Sequence, residues 1–334
     1  MADDTFKAET SMRQVVKIDF SDFWHSNRIE DKCANPLFVL LSKRFDLEIC
    51  EQPDFLIYSC FGLNYLRHRG TRIFYTGENK RPDYSACDWA IGFDHSDDPR
   101  FMRWPNYALG DRSSLLLTRD GDALFDAKQH FCAFINSNGK ARVRMEFLDK
   151  LSRYKRVDCG GKARNNLGYR VVDKIAFLKS YKFTIAFENE SYPGYTTEKL
   201  ADALQGNAVP IYWGNPLVSR DFNPESFVNA HDFRNLDEVV DFVVELDKND
   251  SLYKRYLSAP PIAGNRYTEY LDEERILNWF SYIFSLPNSR PVARTIKGRI
   301  HALAHEPKRM LRQRRIEQKK DIWKKRNNLS NGRG

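Results

Sequence analysis

The chain predicts an α/β fold built as two consecutive halves, and three observations carry that reading. Short apolar runs rich in aromatic and β-branched residues alternate with helical stretches in both halves. Residues 182–216, KFTIAFENESYPGYTTEKLADALQGNAVPIYWGNP, read as a complete strand, polar loop, helix and second strand. A length of 334 residues at 42% hydrophobic content is also enough to bury two cores.

Taken in order, residues 15–20, 55–60, 72–75 and 89–93 read as strands of the first half, with a helix over 36–45 between the first two. The polar LGDRSS stretch then interrupts the strand pattern and places a boundary near Arg112. This predicts a domain over 1–112, a second over 113–290 and a tail over 291–334. In the second domain, strands over 131–135, 183–187, 208–213 and 227–229 alternate with helices over 144–154 and 236–246. No internal repeat is present.

Within 182–216 the loop and the helix start share the carboxyl end of a parallel sheet, where open α/β folds bind ligands. Thr197 is placed as N-cap, so Lys199 stands in the first helical turn, against the helix dipole. A bound phosphate would compensate that placement; a solvated Glu198-Lys199 surface pair is the alternative.

The charge is unevenly distributed. The net +8 comes from a tail with 14 Lys and Arg against 3 Asp and Glu, while residues 1–290 balance at about −3. Helix formers are frequent from 293 to 326, broken at Pro307. Ile296, Ile300, Leu303, Met310, Leu311, Ile316 and Trp323 form an imperfect apolar stripe. A basic helix of this kind fits an anionic membrane surface; a solvated cationic tail is the alternative. A nucleic-acid-binding protein is a distant alternative, disfavoured because Trp323 is the tail's one interleaved aromatic and the body is slightly acidic. No run approaches the ~18 apolar residues of a membrane span and the start MADDTFKAET is polar, so the expectation is a cytoplasmic protein, peripheral on the inner membrane face. The six cysteines (33, 50, 60, 87, 132, 159) and seven histidines lack metal-ligand spacing and are assigned no chemistry. Asp120-Gly121-Asp122 matches an Asp-x-Asp metal string but reads as a tight hydrophilic turn.

Three blocks carry a family resemblance: FENESYPGYTTEKLADAL with VPIYWGNP and DFNPESFVNAHDF, then RIFYTGENKRPDYSACDWAIGF at 72–93, then GGKARNNLGYRV at 160–171. In their order and spacing along the chain they resemble the α-1,3-fucosyltransferases, above all the bacterial enzymes of glycosyltransferase family 10. The resemblance implies a GT-B architecture of two facing Rossmann-like domains, with a basic helical tail. It implies an inverting transfer of L-fucose from GDP-β-L-fucose to the 3-hydroxyl of GlcNAc in N-acetyllactosamine-type acceptors, giving Lewis x-type surface glycans or lipopolysaccharide. An α-1,4 linkage or another nucleotide sugar stays open. The heptad repeats of some relatives are missing.

Such chemistry needs a base for the acceptor hydroxyl and cations for the departing diphosphate. Glu78, on a glycine turn after a strand, matches the family's candidate base. Arg144 in NSNGKARVR matches the phosphate-binding arginine, with Arg142 as the neighbour it could be confused with, and Lys199 is the second cation. Glu198, Asn189, Tyr195 and Ser137 are implied as polar contacts to ribose, fucose and phosphates. Arg164 either touches the donor or braces the seam between the domains. With two cations on the diphosphate no metal is required, while stimulation by Mn²⁺ or Mg²⁺ stays open. Phe23, Trp24 and His25 are candidates for stacking on acceptor sugars.

Overall fold

The computed structural model describes residues 13–24, 28–262, 269–286 and 290–331, with side chains as far as 319. It divides into two compact units. The first contains the strands β1 (Val15–Ser21), β2 (Asp46–Ile49), β3 (Phe55–Tyr58), β4 (Thr71–Tyr75), β5 (Trp89–Gly92) and β6 (Phe101–Arg103), ordered β2-β1-β3-β4-β5-β6. The pairs from β2 through β5 are parallel. Helices α1 (Ile29–Cys33) and α2 (Pro36–Leu41) follow β1; Asn35 caps α2, its side chain accepting from Leu37 N at 2.9 Å, and Pro36 opens the helix.

The second unit carries α3 (Gly121–Asp126), β7 (His130–Phe134), α4 (Arg142–Leu151), β8 (Val157–Cys159), α5 (Lys174–Leu178), β9 (Tyr181–Phe187), α6 (Glu198–Gln205), β10 (Val209–Trp213), β11 (Val228–Asn229), α7 (Leu236–Lys248) and α8 (Asp250–Ser258). Its strands form an all-parallel sheet ordered β11-β10-β9-β7-β8. Phe134, Phe183, Ile185, Phe187 and Ile211 from the strands bury against Phe147 and Leu151 of α4 and Val239 and Val243 of α7. Both faces of this sheet are covered, which is why its strands read as continuous apolar runs.

Two further helices, α9 (Glu273–Ser285) and α10 (Ile296–Asn331), close the described chain, and their contacts group the chain differently from the expected boundaries. The first unit ends at Ile91, takes back Pro99–Met102 and is completed by everything from Ile276. By contacts the division falls at residue 91, short of the expected Arg112. Arg112 is held inside the second unit by Tyr107 O (2.7 Å) and Asp202 (3.0 Å). Conversely, Phe284 of α9 packs on Phe45 and Phe55 at 5.0 and 4.7 Å, and Trp279 meets Trp89 edge-on. These apolar contacts join α9 to the first sheet.

The basic tail is helical as expected, but it continues through Pro307, where a break was predicted. Its contacts lie on both sides of the proline and offset the lost backbone bond. His301 meets Tyr65 OH at 3.1 Å and Asp83 at 3.3 Å, and Arg312 donates to Phe61 O.

His68 supplies a pH-dependent term in the first unit. Burial, helped by the Arg72 guanidinium, pushes its imidazole down to about 4 from 6.5, and Nε2 has no hydrogen-bond partner among the described residues. Between those values the unfolded chain takes a proton that the folded chain refuses, so stability falls as pH drops from about 6.5 toward 4. Urea midpoints measured across that window should fall less steeply in His68→Gln than in wild type; equal slopes would contradict the assignment.

Candidate active site

The strand order of the second sheet reverses between β7 and β9. In open α/β sheets the crevice beyond such a reversal is the ligand site. The Asn136-Ser137-Asn138 turn and the start of α4 follow β7, while Glu188, Asn189 and the loop into α6 follow β9. Neither N-cap residue, Ala141 of α4 or Thr197 of α6, places a side-chain hydrogen bond on its helix. Both helices thus present first-turn amides and the positive dipole end without a capping side chain.

Arg144, in the first turn of α4, lies buried in this crevice. Its Nε and Nη2 donate to Phe187 O at 2.9 and 2.7 Å, Nη2 also to Asn189 Oδ1 at 2.8 Å, and Nη1 to Asn138 O at 3.2 Å. Of the five guanidinium N–H groups, one on Nη1 remains for a ligand. Burial lowers the pKa of Arg144, and Glu188 is the largest opposing influence.

The neighbour that organises the rest is Glu188, which is completely buried. Its carboxylate accepts from Thr197 N (2.7 Å), Thr197 Oγ1 (2.8 and 2.9 Å) and Lys199 Nζ (2.8 Å). The Thr197 hydroxyl is bound to Glu188, which is why it does not cap α6. The ammonium of Lys199 donates as well to Thr197 Oγ1 at 2.8 Å, and Glu198 Oε1 stands 3.7 Å away. Burial pulls the Lys199 pKa down, but Glu188 and then Glu198 outweigh it, and the net direction is up. The anion answering the cation at the helix start is therefore built into the protein.

Glycine and asparagine make room for this arrangement. A Cβ on Gly214 would overlap the Glu188 side chain, and one on Gly194, whose φ is +86°, would overlap Phe93 O. Buried Asn215 fixes the loop through Gly194 N (2.6 Å) and Thr196 Oγ1 (3.0 Å).

In the first unit, Glu78 stands three residues beyond β4 on a turn in which its N–H donates to Thr76 Oγ1 at 3.0 Å. Its partly exposed carboxylate takes no hydrogen bond or ion pair among the described residues. This is the arrangement of a group left available for proton transfer.

The sequence of this chain matches two family models: the alpha-(1,3)-fucosyltransferase FucT N-terminal domain over residues 18–110, and the glycosyltransferase family 10 (fucosyltransferase) C-terminal domain over 125–259. The chain belongs to glycosyltransferase family 10.

This family-10 chain is 33% identical to the alpha-(1,3)-fucosyltransferase FucT of Helicobacter pylori, over 80% of its own length and 66% of that protein. It is 32% identical to the human 4-galactosyl-N-acetylglucosaminide 3-alpha-L-fucosyltransferase FUT6, over 39% of its length and 37% of the human protein. The chain thus spans less than two thirds of these curated relatives. A crystal structure of an alpha1,3-fucosyltransferase with GDP-fucose superposes with a TM-score of 0.71 at 31% identity, covering 84% of this chain and 94% of that one. The GT-B class expected from sequence is borne out.

Of the residues the sequence singled out, the second unit brings Arg144, Asn189, Ser137, Lys199 and Glu198 to one crevice. Ser137 is exposed in the turn and Glu198 is half-exposed. Tyr195 is 1% exposed, with its ring 4.9 Å from Phe93. Arg164 has a positive φ of 55° and turns outward to Asp149 of α4 at 3.3 Å. In the Asp120-Gly121-Asp122 string, Asp120 caps α3 and Asp122 pairs with Lys254 at 2.6 Å. The sequence reading missed Glu188 and Asn215. For Glu188 a signal existed: a carboxylate placed directly after the apolar run Ile185–Phe187 requires a buried partner.

Proposed function

We propose that this chain is an inverting α-1,3-fucosyltransferase using GDP-β-L-fucose, with the 3-hydroxyl of GlcNAc in N-acetyllactosamine-type glycans as acceptor, in surface glycan or lipopolysaccharide synthesis. The observation that carries the reading is the convergence of Arg144, Lys199 and two helix starts lacking side-chain caps on one crevice, a constellation suited to a diphosphate. In the proposed step the acceptor oxygen forms a bond to fucose C1 as the C1–O bond to the diphosphate breaks. Glu78 takes the hydroxyl proton, and the negative charge left on GDP is received by Lys199, the spare Arg144 N–H and the helix amides. With those cations in place the reaction proceeds without a metal, and turnover in EDTA checks this.

The test is GDP release from GDP-fucose with and without N-acetyllactosamine, with the product linkage read by NMR. Acceptor-dependent release with an α-1,3 linkage supports the reading. Intact GDP binding without release in either case would refute the donor or acceptor named here.

We also propose peripheral attachment of the cytoplasmic enzyme to an anionic membrane. Ile296, Ile300, Leu303, Met310 and Leu311 are all exposed and recur at helical spacing on one side of α10, among Lys297, Arg299, Lys308 and Arg315. Trp323 lies outside the residues whose side chains are described. Among the described residues no helix is long and apolar enough to cross a membrane. Because α10 belongs to the first unit, the informative change is on its outer stripe: Ile300→Ser with Leu303→Ser and Leu311→Ser should move the protein from the membrane pellet to the supernatant. Unchanged pelleting would overturn the attachment.

A further inference from the structure

The first sheet also reverses its strand order, between β1 and β3. Beyond the carboxyl ends of those strands lies a cavity of about 210 Å³, whose wall includes Asp22, Phe23, Phe61, Asn64, Arg312 and Ile316. That is room for one sugar ring, at the place where such sheets receive ligands. It adjoins the acceptor chemistry, because the Phe23 ring stacks on Tyr75 at 6.0 Å, and Tyr75 ends β4 three residues before Glu78.

The charges of the wall are unequally committed. Asp22, held at φ +59°, uses its carboxylate to accept from Asn64 N (3.0 Å), Tyr65 N (2.8 Å) and Ser21 Oγ (2.7 Å); its role is to shape the loop. Helix α10 supplies the rest from its inner side, where His301, His305, Arg309, Arg312 and Ile316 recur at intervals of three or four residues. Arg309 is tied to Glu306 and to Gln313. Arg312 donates one Nη2 bond to Phe61 O and has no carboxylate partner among the described residues. Its guanidinium is a planar cation without a carboxylate partner among the described residues, in a wall it shares with the rings of Phe23 and Phe61, a combination that suits an oxyanion carried on a sugar. Trp24, 76% exposed and edge-on to Phe61 at 5.3 Å, extends the aromatic surface outward.

We propose that this cavity is an acceptor subsite holding an acidic sugar residue of the glycan, with its carboxylate or phosphate received by Arg312. The proposal rests on the fucosyltransferase reading with Glu78 as base, and it assigns to α10, which lies outside both family-model matches, a part in acceptor choice.

The test is calorimetric titration of the full chain, without donor, with N-acetyllactosamine and with the same glycan extended by a carboxylate-bearing or a phosphate-bearing sugar. Wild type should bind at least one acidic glycan about tenfold or more tightly than the neutral one, and the preferred arm identifies the group. Arg312→Gln should reduce that affinity to the neutral value and leave neutral binding unchanged. Ile316→Trp, which fills the cavity, should weaken the acidic glycan alone; circular dichroism confirms that both variants fold. Wild type that binds all three glycans alike, or none, overturns the subsite, as does an Arg312→Gln chain that keeps the preference. Acidic-glycan binding that persists in a chain unable to transfer fucose to any acceptor would refute the fucosyltransferase reading while leaving the subsite standing.

Discussion

Replacing Glu78 by Ala or Gln should lower acceptor-dependent GDP release by about 10²–10⁴-fold while leaving GDP affinity unchanged. The magnitude is that of a positioned general base lost from a proton-transfer step. The specificity follows from placement. Glu78 sits on a loop of the first unit whose turn is set by Thr76 and not by its own carboxylate. Removing the carboxylate therefore breaks no hydrogen bond or ion pair among the described residues, and fold and stability should be preserved. The groups assigned to the diphosphate are all in the second unit. Gln keeps the shape and hydrogen-bonding reach of Glu but cannot accept the proton, so Ala and Gln should be about equally inactive. A Glu78→Gln chain with near wild-type turnover would remove Glu78 from the mechanism.

Lys199→Ala should cost both stability and donor binding, because its ammonium has two roles at once. In the folded chain it neutralises Glu188, whose side chain is wholly buried. Truncating one partner of such a pair leaves an uncompensated buried charge and destabilises by about 3–5 kcal/mol. The same ammonium is the cation offered to the diphosphate, so GDP affinity should fall as well. The two effects separate in the paired variant Lys199→Met with Glu188→Gln. Losing both charges should recover much of the unfolding midpoint without recovering GDP binding. Recovery of both would make Lys199 a structural residue; recovery of neither would place the cost of Lys199→Ala elsewhere than in the buried pair. The sign of the pH effect follows from the raised pKa of Lys199. Its stabilising share is present at neutral pH and is lost only as pH rises through the higher folded value above 10.5.

The central elements could be read from the chain because their signals are local. β9 and β10 are buried on both faces, and their apolar runs report that directly. β2 and β8 escaped the reading. The first is an edge strand whose DLEI sequence alternates exposed with half-buried positions, and the second is three residues long. Neither contains a run long enough to separate strand from loop. The site was legible to the same depth. The types and positions of Lys199 and Asn189 pointed to a common loop, the family resemblance added Arg144, and the fold brings them together. Tyr195 and Arg164 were assigned by motif position, and the fold turns one inward to Phe93 and the other outward to Asp149.

By itself the sequence determined the α/β class, the unit from β9 through α6 to β10 and the cationic helix, because periodicity, capping residues and charge runs act over a few neighbouring positions; the candidate residues of the second crevice came largely from the family resemblance. Only the tertiary structure decided that Glu188 is the counter-charge of Lys199, that Arg144 commits most of its N–H groups to carbonyls of β9 and the neighbouring turn, and that α9 and α10 complete the first unit. Each of those outcomes depends on contacts between residues distant along the chain, such as Phe284 with Phe45 or His301 with Tyr65. A local pattern can specify that a side chain must be buried or paired, but the partner is chosen by the packing of the whole unit.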